Sequence, residues 1–247
     1  MRVYAAVQCG LEKAQCEDTV IIGDTVINDG TVDIVMTGSG AVCIADGVGG
    51  NAGGYIASAF VAEHLKSLVE LCDDTDEKGI RVWLIDINGR LLKKGIEVGS
   101  PDMATTLTGL ICNEDKKYIV HIGNTRAYVL QGQYLKQLTT DHTIYNKLLK
   151  MGRVDEASQC KKNEITNCLG GKDVSLADSL SVTPAQDFSV ILLSSDGIHD
   201  FISLDELEGL VASEADGLEN CRNILQTARI AGSTDDVSIV IITNRED

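Results

Sequence analysis

Tyr118-Ile119-Val120-His121-Ile122, Ala127-Tyr128-Val129-Leu130 and Tyr134-Leu135-Lys136-Gln137 follow one another with four and then three residues between them. The runs are short and favour β-branched and aromatic residues, the signature of strands. A parallel crossover needs a dozen or more residues, so neighbours this close belong to mainly antiparallel sheets, with Gln131-Gly132-Gln133 as a tight turn. Similar runs extend on both sides: Val3 to Val7, Thr19 to Ile22, Val32 to Met36, Ala41 to Ala45, Thr105 to Ile111, Phe188 to Leu193 and Val237 to Ile242. Val190 to Leu193 and Val237 to Ile242 are apolar on both faces, which means that each is covered twice. Helical spacing occupies Gly54 to Leu71, Ile80 to Ile96, Thr143 to Met151, Leu204 to Val211 and Leu218 to Ile230. The fold class is therefore α+β: a four-layer αββα sandwich, two central antiparallel β-sheets flanked by helices.

With 247 residues, two prolines (Pro101 and Pro184) and no low-complexity linker, the chain reads as one domain over 1–247. The acidic stretch Cys72 to Gly79 joins two helices as an exposed turn. Eight cysteines are scattered with no C-x-x-C pair, the first residues lack the layout of a signal peptide, and no run approaches the roughly 18 apolar residues that span a bilayer. A reducing cytoplasm is the expected setting. The net charge of −16 argues against nucleic acid and anionic membranes as partners and favours cations.

Aspartates fall where strands end. Asp46-Gly47 follows Val42 to Ala45, Asp196-Gly197 follows Val190 to Leu193, Asp235-Asp236 opens the last strand, and Glu17-Asp18 opens an early one. A single Asp-Gly is ordinary turn chemistry. Four acidic sites at comparable positions point instead to metal, because charges beside buried strands are costly unless paired, and carboxylates suit hard cations such as Mg²⁺ and Mn²⁺.

In order and spelling these motifs resemble the metal-dependent protein serine/threonine phosphatases of type 2C, the PPM family, in its bacterial form. The series is Glu17-Asp18, Asp46-Gly47-Val48-Gly49-Gly50, Met103-Ala104-Thr105-Thr106, His121 to Arg126, Leu138 to His142, Ser194 to Gly197 and Gly232 to Ser238. The resemblance implies two divalent ions, Mn²⁺ or Mg²⁺, with Asp46 bridging both, the Gly47 carbonyl on one, and Asp196 and Asp235 on the other. Glu17 and Asp18 would orient bound waters. It further implies hydrolysis of phosphoserine and phosphothreonine by attack of a metal-bridging water. The partners would be phosphorylated proteins, targets of a Ser/Thr kinase, with a variable flap at about 143–170.

The sequence departs from the family at several positions. Lys13 stands where an arginine usually grips the substrate phosphate, and a lysine supplies a point charge without the guanidinium fork; its other reading is a solvated surface residue. Cys16 replaces an asparagine and reads as packing. Asn124 replaces an aspartate that helps hold a third metal, which leaves a weak third site at most. Val48 occupies the place of a general-acid histidine in animal members, and His142 and His199 read as hydrogen-bonded loop residues. Asp236 replaces an asparagine beside Asp235. Three rivals remain in view: a dinucleotide site at Gly47 to Ala52, a calcium loop at Asp74 to Gly79, and a phosphatase-like protein of little turnover that binds phosphoproteins or a kinase.

Overall fold

The structure is a computed structural model that describes residues 1–48, 53–66, 75–113, 116–171, 179–212 and 216–244. Elements are numbered in chain order. The first sheet contains β1 (Arg2–Gln8), β4 (Gly30–Val35), β9 (Arg126–Gln131), β10 (Tyr134–Gln137), β13 (Val190–Ser194) and β14 (Val237–Thr243), in the order β10-β9-β13-β14-β1-β4. The second contains β5 (Gly40–Val48), β6 (Ala104–Thr105), β7 (Leu107–Asn113), β8 (Lys116–Ile122), β11 (Leu169–Gly170) and β12 (Ser181–Pro184), in the order β11-β6-β5-β7-β8-β12. To it β2 (Asp18–Ile22) adds on β5, with β3 (Thr25–Ile27) on β2. Every pairing is antiparallel, as the short connections require.

Alternation along β1 shows how the layers form. Val3, Ala5 and Val7 point into the core between the sheets, with Val20, Ile44, Leu110, Ile191 and Val240, whereas Tyr4 and Ala6 point outward. That outer face is covered by α6 (Leu204–Val211) and α7 (Gly217–Ile230), which contribute Leu207, Ile224 and Ala228. Ile21, Cys43 and Ala45 of the second sheet likewise turn outward to α1 (Gly54–Lys66) and α2 (Glu77–Glu97), packing with Val61, Leu84, Ile87 and Leu91. Each large aliphatic side chain so enclosed stabilises the fold by about 1.5–3 kcal/mol relative to exposure.

The structure supplies one pairing that the sequence left open and changes two expected elements in detail. The neighbouring runs at 118–122 and 127–130 do not pair with each other: β8 pairs with β7 and β12, and β9 with β10 and β13. The chain crosses from one sheet to the other at Gly123, whose φ of 111° is a conformation that side chains resist. The run from Thr105 to Ile111 is broken at Thr106, which turns aside to bond β5. Finally, α2 begins at Glu77 rather than Ile80, with Asp76 as its N-cap accepting from the Gly79 amide at 2.9 Å. That contact gives one acid of the supposed calcium loop a capping role; Asp74 lies outside the described residues, as do 67–71 of the first expected helix. In the described chain α1 is succeeded by another helix and β5 has only antiparallel partners, so no parallel dinucleotide-binding unit forms there.

Between β10 and β11 the chain makes an excursion containing α3 (Ile144–Lys150), capped by the Thr143 hydroxyl, and α4 (Val154–Ala157). Backbone bonds close its base, from the Thr166 amide to the His142 carbonyl at 2.7 Å and from the Ile144 amide to the Glu164 carbonyl at 2.9 Å. Among the described residues no helix is long and apolar enough to cross a membrane.

Candidate metal centre

The sheets deliver their acids to one end of the sandwich. Asp46 lies inside β5 rather than after it, because Gly47 and Val48 continue the strand against Thr105 and Ala104. Asp18 is its register partner on β2. From the other sheet, Asp196 opens the short helix α5 (Asp196–His199) directly after β13, and Asp235 precedes the adjacent β14. Close backbone approach holds these loops together. A Cβ on Gly10 would come within 2.7 Å of the Thr234 carbonyl oxygen, and one on Gly197 would collide with the Asp236 carbonyl.

The carboxylates feel one another. Burial pushes the half-buried Asp46 well above the usual carboxylate range, and the charges of Asp18, Asp196 and Asp235 push it further, with Lys13 opposing. Burial also raises Asp196, helped by Asp235 and Asp200, and raises Asp18 despite the nearby Ser238 and Ser195 hydroxyls. Those hydroxyls oppose the shift without reaching bonding geometry: Asp18 is 1% exposed and neither of its oxygens has a hydrogen-bond partner. Buried, mutually repelling carboxylates with open lone pairs are an energetic liability unless a cation joins them. With the backbone carbonyl of Gly47 they make an all-oxygen donor set, which fits hard divalent ions.

Lys13 is the cation these acids face in the protein itself. Its ammonium lies 2.7 Å from Asp235, 2.8 Å from Asp236 and 3.2 Å from Glu17, so it is not a solvated surface residue. Burial pulls its pKa down, but the Asp235 and Asp236 partners outweigh this and hold it above the ordinary lysine value. Among the described residues no three His, Cys, Asp or Glu groups are yet gathered at ligating distance, and Asp235 is turned toward Lys13 instead. Asp236, whose use the sequence left open, also accepts from the Gly10 amide at 2.7 Å and the Glu17 amide at 2.8 Å. Burial opposes its charge, yet these donors and Lys13 hold its pKa below the usual range. It ties the loop between β1 and β2 to the loop that precedes β14.

Sequence reasoning missed Arg229. From α7 its guanidinium donates to the carbonyls of Ser233 (2.9 Å), Asp235 (2.6 Å) and Cys9 (2.8 Å), fixing the loop that carries Asp235. No pattern in the sequence marks this arginine, because its partners are backbone carbonyls apart from the Gln8 side-chain oxygen at 3.3 Å. Arg229→Met is expected to weaken Mn²⁺ binding about 10–100-fold, as loss of a ligand-orienting partner does, with an intact fold. Isothermal titration with Mn²⁺ measures this, and unchanged affinity would remove Arg229 from the site.

Behind Asp46 runs a buried polar chain. The Asp46 amide donates to Thr106 Oγ1 at 3.0 Å, Thr106 lies 3.3 Å from Thr125 Oγ1, and Thr125 lies 2.6 Å from Thr108 Oγ1. Thr108 is 2.8 Å from Nδ1 of His121, whose Nε2 faces the Thr140 carbonyl at 3.0 Å. A carbonyl only accepts, so Nε2 carries the proton and Nδ1 accepts from Thr108. Burial pulls His121 down to about 3, and it remains neutral. His142 accepts from the Gly123 amide at 3.2 Å, as a hydrogen-bonded loop residue, whereas His199 closes α5 rather than sitting in a loop and meets Ser194 of β13 at 2.8 Å. Asn124, 2% exposed, donates to Asp196 at 2.8 Å and leaves its own oxygen unpartnered. Beside it opens a polar cavity of about 420 Å³, lined by Arg126, Asp141, Tyr145, Lys162 and Asp200 among others.

Comparison with known proteins identifies the family and the fold. The family description "Protein phosphatase 2C" matches residues 19–229. Protein phosphatase PhpP of Streptococcus pneumoniae is 30% identical over 214 residues, covering 83% of this chain and 86% of that protein. Among solved structures, the Mycobacterium tuberculosis serine/threonine phosphatase PstP/Ppp superposes with a TM-score of 0.80 at 25% identity over 100% of both chains. The catalytic domain of the serine threonine protein phosphatase PstP in complex with two manganese ions gives 0.75 at 26% identity over 98% of each. With nearly all of its length accounted for in this way, the chain belongs to the protein phosphatase 2C family.

Proposed function

We propose that this protein is a metal-dependent phosphatase that removes phosphate from phosphoserine and phosphothreonine of proteins, the products of a Ser/Thr kinase. The observation that supports the reading is that Asp46, paired in register with Asp18, feels the charges of Asp18, Asp196 and Asp235 from both sheets, in a chain of the protein phosphatase 2C family. Asp46, the Gly47 carbonyl, Asp196 and Asp235 hold two Mn²⁺ or Mg²⁺ ions, and Glu17 and Asp18 orient water around them. When bound, such a pair supplies the Lewis acidity and positive charge that monoester hydrolysis requires. The residues of the chain do the rest. Asp236 and Arg229 fix the loops that present the ligands, and Lys13, which Asp235, Asp236 and Glu17 hold here, would turn to the substrate phosphate once cations took up the Asp235 carboxylate. Asn124 offers an uncharged oxygen that makes a third ion weak. The catalytic unit is a single domain in which the excursion at about 143–170 serves as a flap over the polar cavity. Seven unpaired cysteines among the described residues support a reducing, cytoplasmic setting.

The second reading, a protein that binds phosphoproteins with little turnover, is favoured by one contact: Lys13 occupies the Asp235 carboxylate that a metal would need. Phosphate release from a phosphothreonine peptide separates the two. Mn²⁺-dependent turnover that EDTA abolishes and added Mn²⁺ restores is expected, with Lys13→Met raising KM more than it lowers kcat. Tight Mn²⁺ binding without turnover on several phosphopeptides would select the binding protein.

A further inference from the structure

Helix α2 carries two apolar faces where its own fold uses one. Ile80, Leu84, Ile87 and Leu91 are buried against the second sheet. On another face Val82, Ile85, Leu92 and Ile96 are 67%, 39%, 37% and 73% exposed. Together with Gly89 they fall at alternating spacings of three and four residues, the seam of a helix that packs against another helix. Single exposed apolar residues are ordinary, but a continuous stripe marks an interaction surface. Gly89 is a second, independent sign. A glycine inside a helix is destabilising, and a Cβ there would meet nothing within 4 Å, so no packing inside the molecule requires it. A missing side chain at the middle of an apolar seam allows a second helix to approach closely.

We propose that this face joins two copies of the chain, α2 against α2, antiparallel about a two-fold axis near Gly89. The seam is self-complementary in that arrangement. Val82 and Ile85 of one copy run alongside Leu92 and Ile96 of the other, and the exposed Asp86, which accepts from Arg90 of its own helix at 2.8 Å, also meets the second copy's Lys93, twice by symmetry. Two chains of charge −16 repel at long range, so their contact needs local pairs of opposite sign. The same net charge opposes adsorption of the stripe to anionic lipid. One helix face buries less than the roughly 800 Å² per partner of a standard interface, so the dimer is reversible, with Kd in the micromolar range.

Sedimentation velocity of the full chain from about 5 to 500 µM tests this across the range where such an interface titrates. A concentration-dependent dimer is expected. Ile85→Asp should abolish it, Asp86→Lys should raise Kd by at least about tenfold, and Asp86→Lys with Lys93→Asp should restore it. All of these positions are exposed, and unchanged circular dichroism confirms that each variant folds. A wild-type chain that stays monomeric throughout, a dimer indifferent to Ile85→Asp, or failure of the double charge reversal to rescue would overturn the proposal. So would binding of the stripe to phosphatidylglycerol vesicles in place of self-association.

Discussion

Replacing Asp46 by asparagine is expected to lower kcat roughly a thousandfold or more, about 4 kcal/mol of transition-state stabilisation, while raising the heat resistance of the metal-free protein. The two effects share one cause. Asp46 lies where burial and three other carboxylates oppose its charge, so its pKa is well above the usual range. An unfolded aspartate titrates near about 4. Between that value and the raised folded one, folding takes up a proton, and stability falls as pH rises through the window. Asparagine removes this slope and should stabilise the metal-free fold by about 1–2 kcal/mol near neutral pH, the usual scale for relief of functional strain. It also deletes the charge that two cations would share. Phosphate release with Mn²⁺, and thermal melts of chelated protein from acid to neutral pH, measure the two halves. A variant that keeps its activity, or melts earlier than the parent, would contradict the assignment.

Arg126→Met is expected to cost about 3–5 kcal/mol of stability, about 10 °C in Tm for a chain of this size. Arg126 on β9 makes a forked pair with Asp141, Nε at 3.0 Å from both carboxylate oxygens and an Nη at 2.6 Å. Asp141 is only 8% exposed, and its one other side-chain donor is the Gln137 amide at 3.1 Å. Removing the arginine leaves a buried carboxylate nearly bare, which is worse than removing both charges. The double variant Arg126→Met, Asp141→Leu should therefore recover part of the loss. Urea melts of the three proteins measure the coupling, and additive losses would show that the pair does not act as a unit.

Short β-branched runs at close spacing made the sheets legible, and strands apolar on both faces implied two coverings, as in β1, where Val3, Ala5 and Val7 face the core between the sheets while Tyr4 and Ala6 face helices. The acids were legible for the opposite reason: a carboxylate beside a buried strand stands out against its surroundings. Which sheet each strand joins was not. Gly123 carries the chain between layers, and a glycine in a short loop reads equally well as a hairpin. The two-residue strands β6 and β11 are too short for any periodicity to register. Lys13 looked like a candidate phosphate ligand or a surface residue, because two of its three acidic partners, Asp235 and Asp236, lie near the other end of the chain. Arg229 was invisible because it speaks only to carbonyl oxygens.

The excursion that carries α3 and α4 leaves and rejoins the sandwich through amide-to-carbonyl bonds at His142, Ile144, Glu164 and Thr166. Bonds of that kind are indifferent to side-chain identity, and α3 has no buried residue of its own. The outline of the segment is thus drawn by the main chain, and substitutions on the exposed surface of α3 should leave the two sheets beneath it standing.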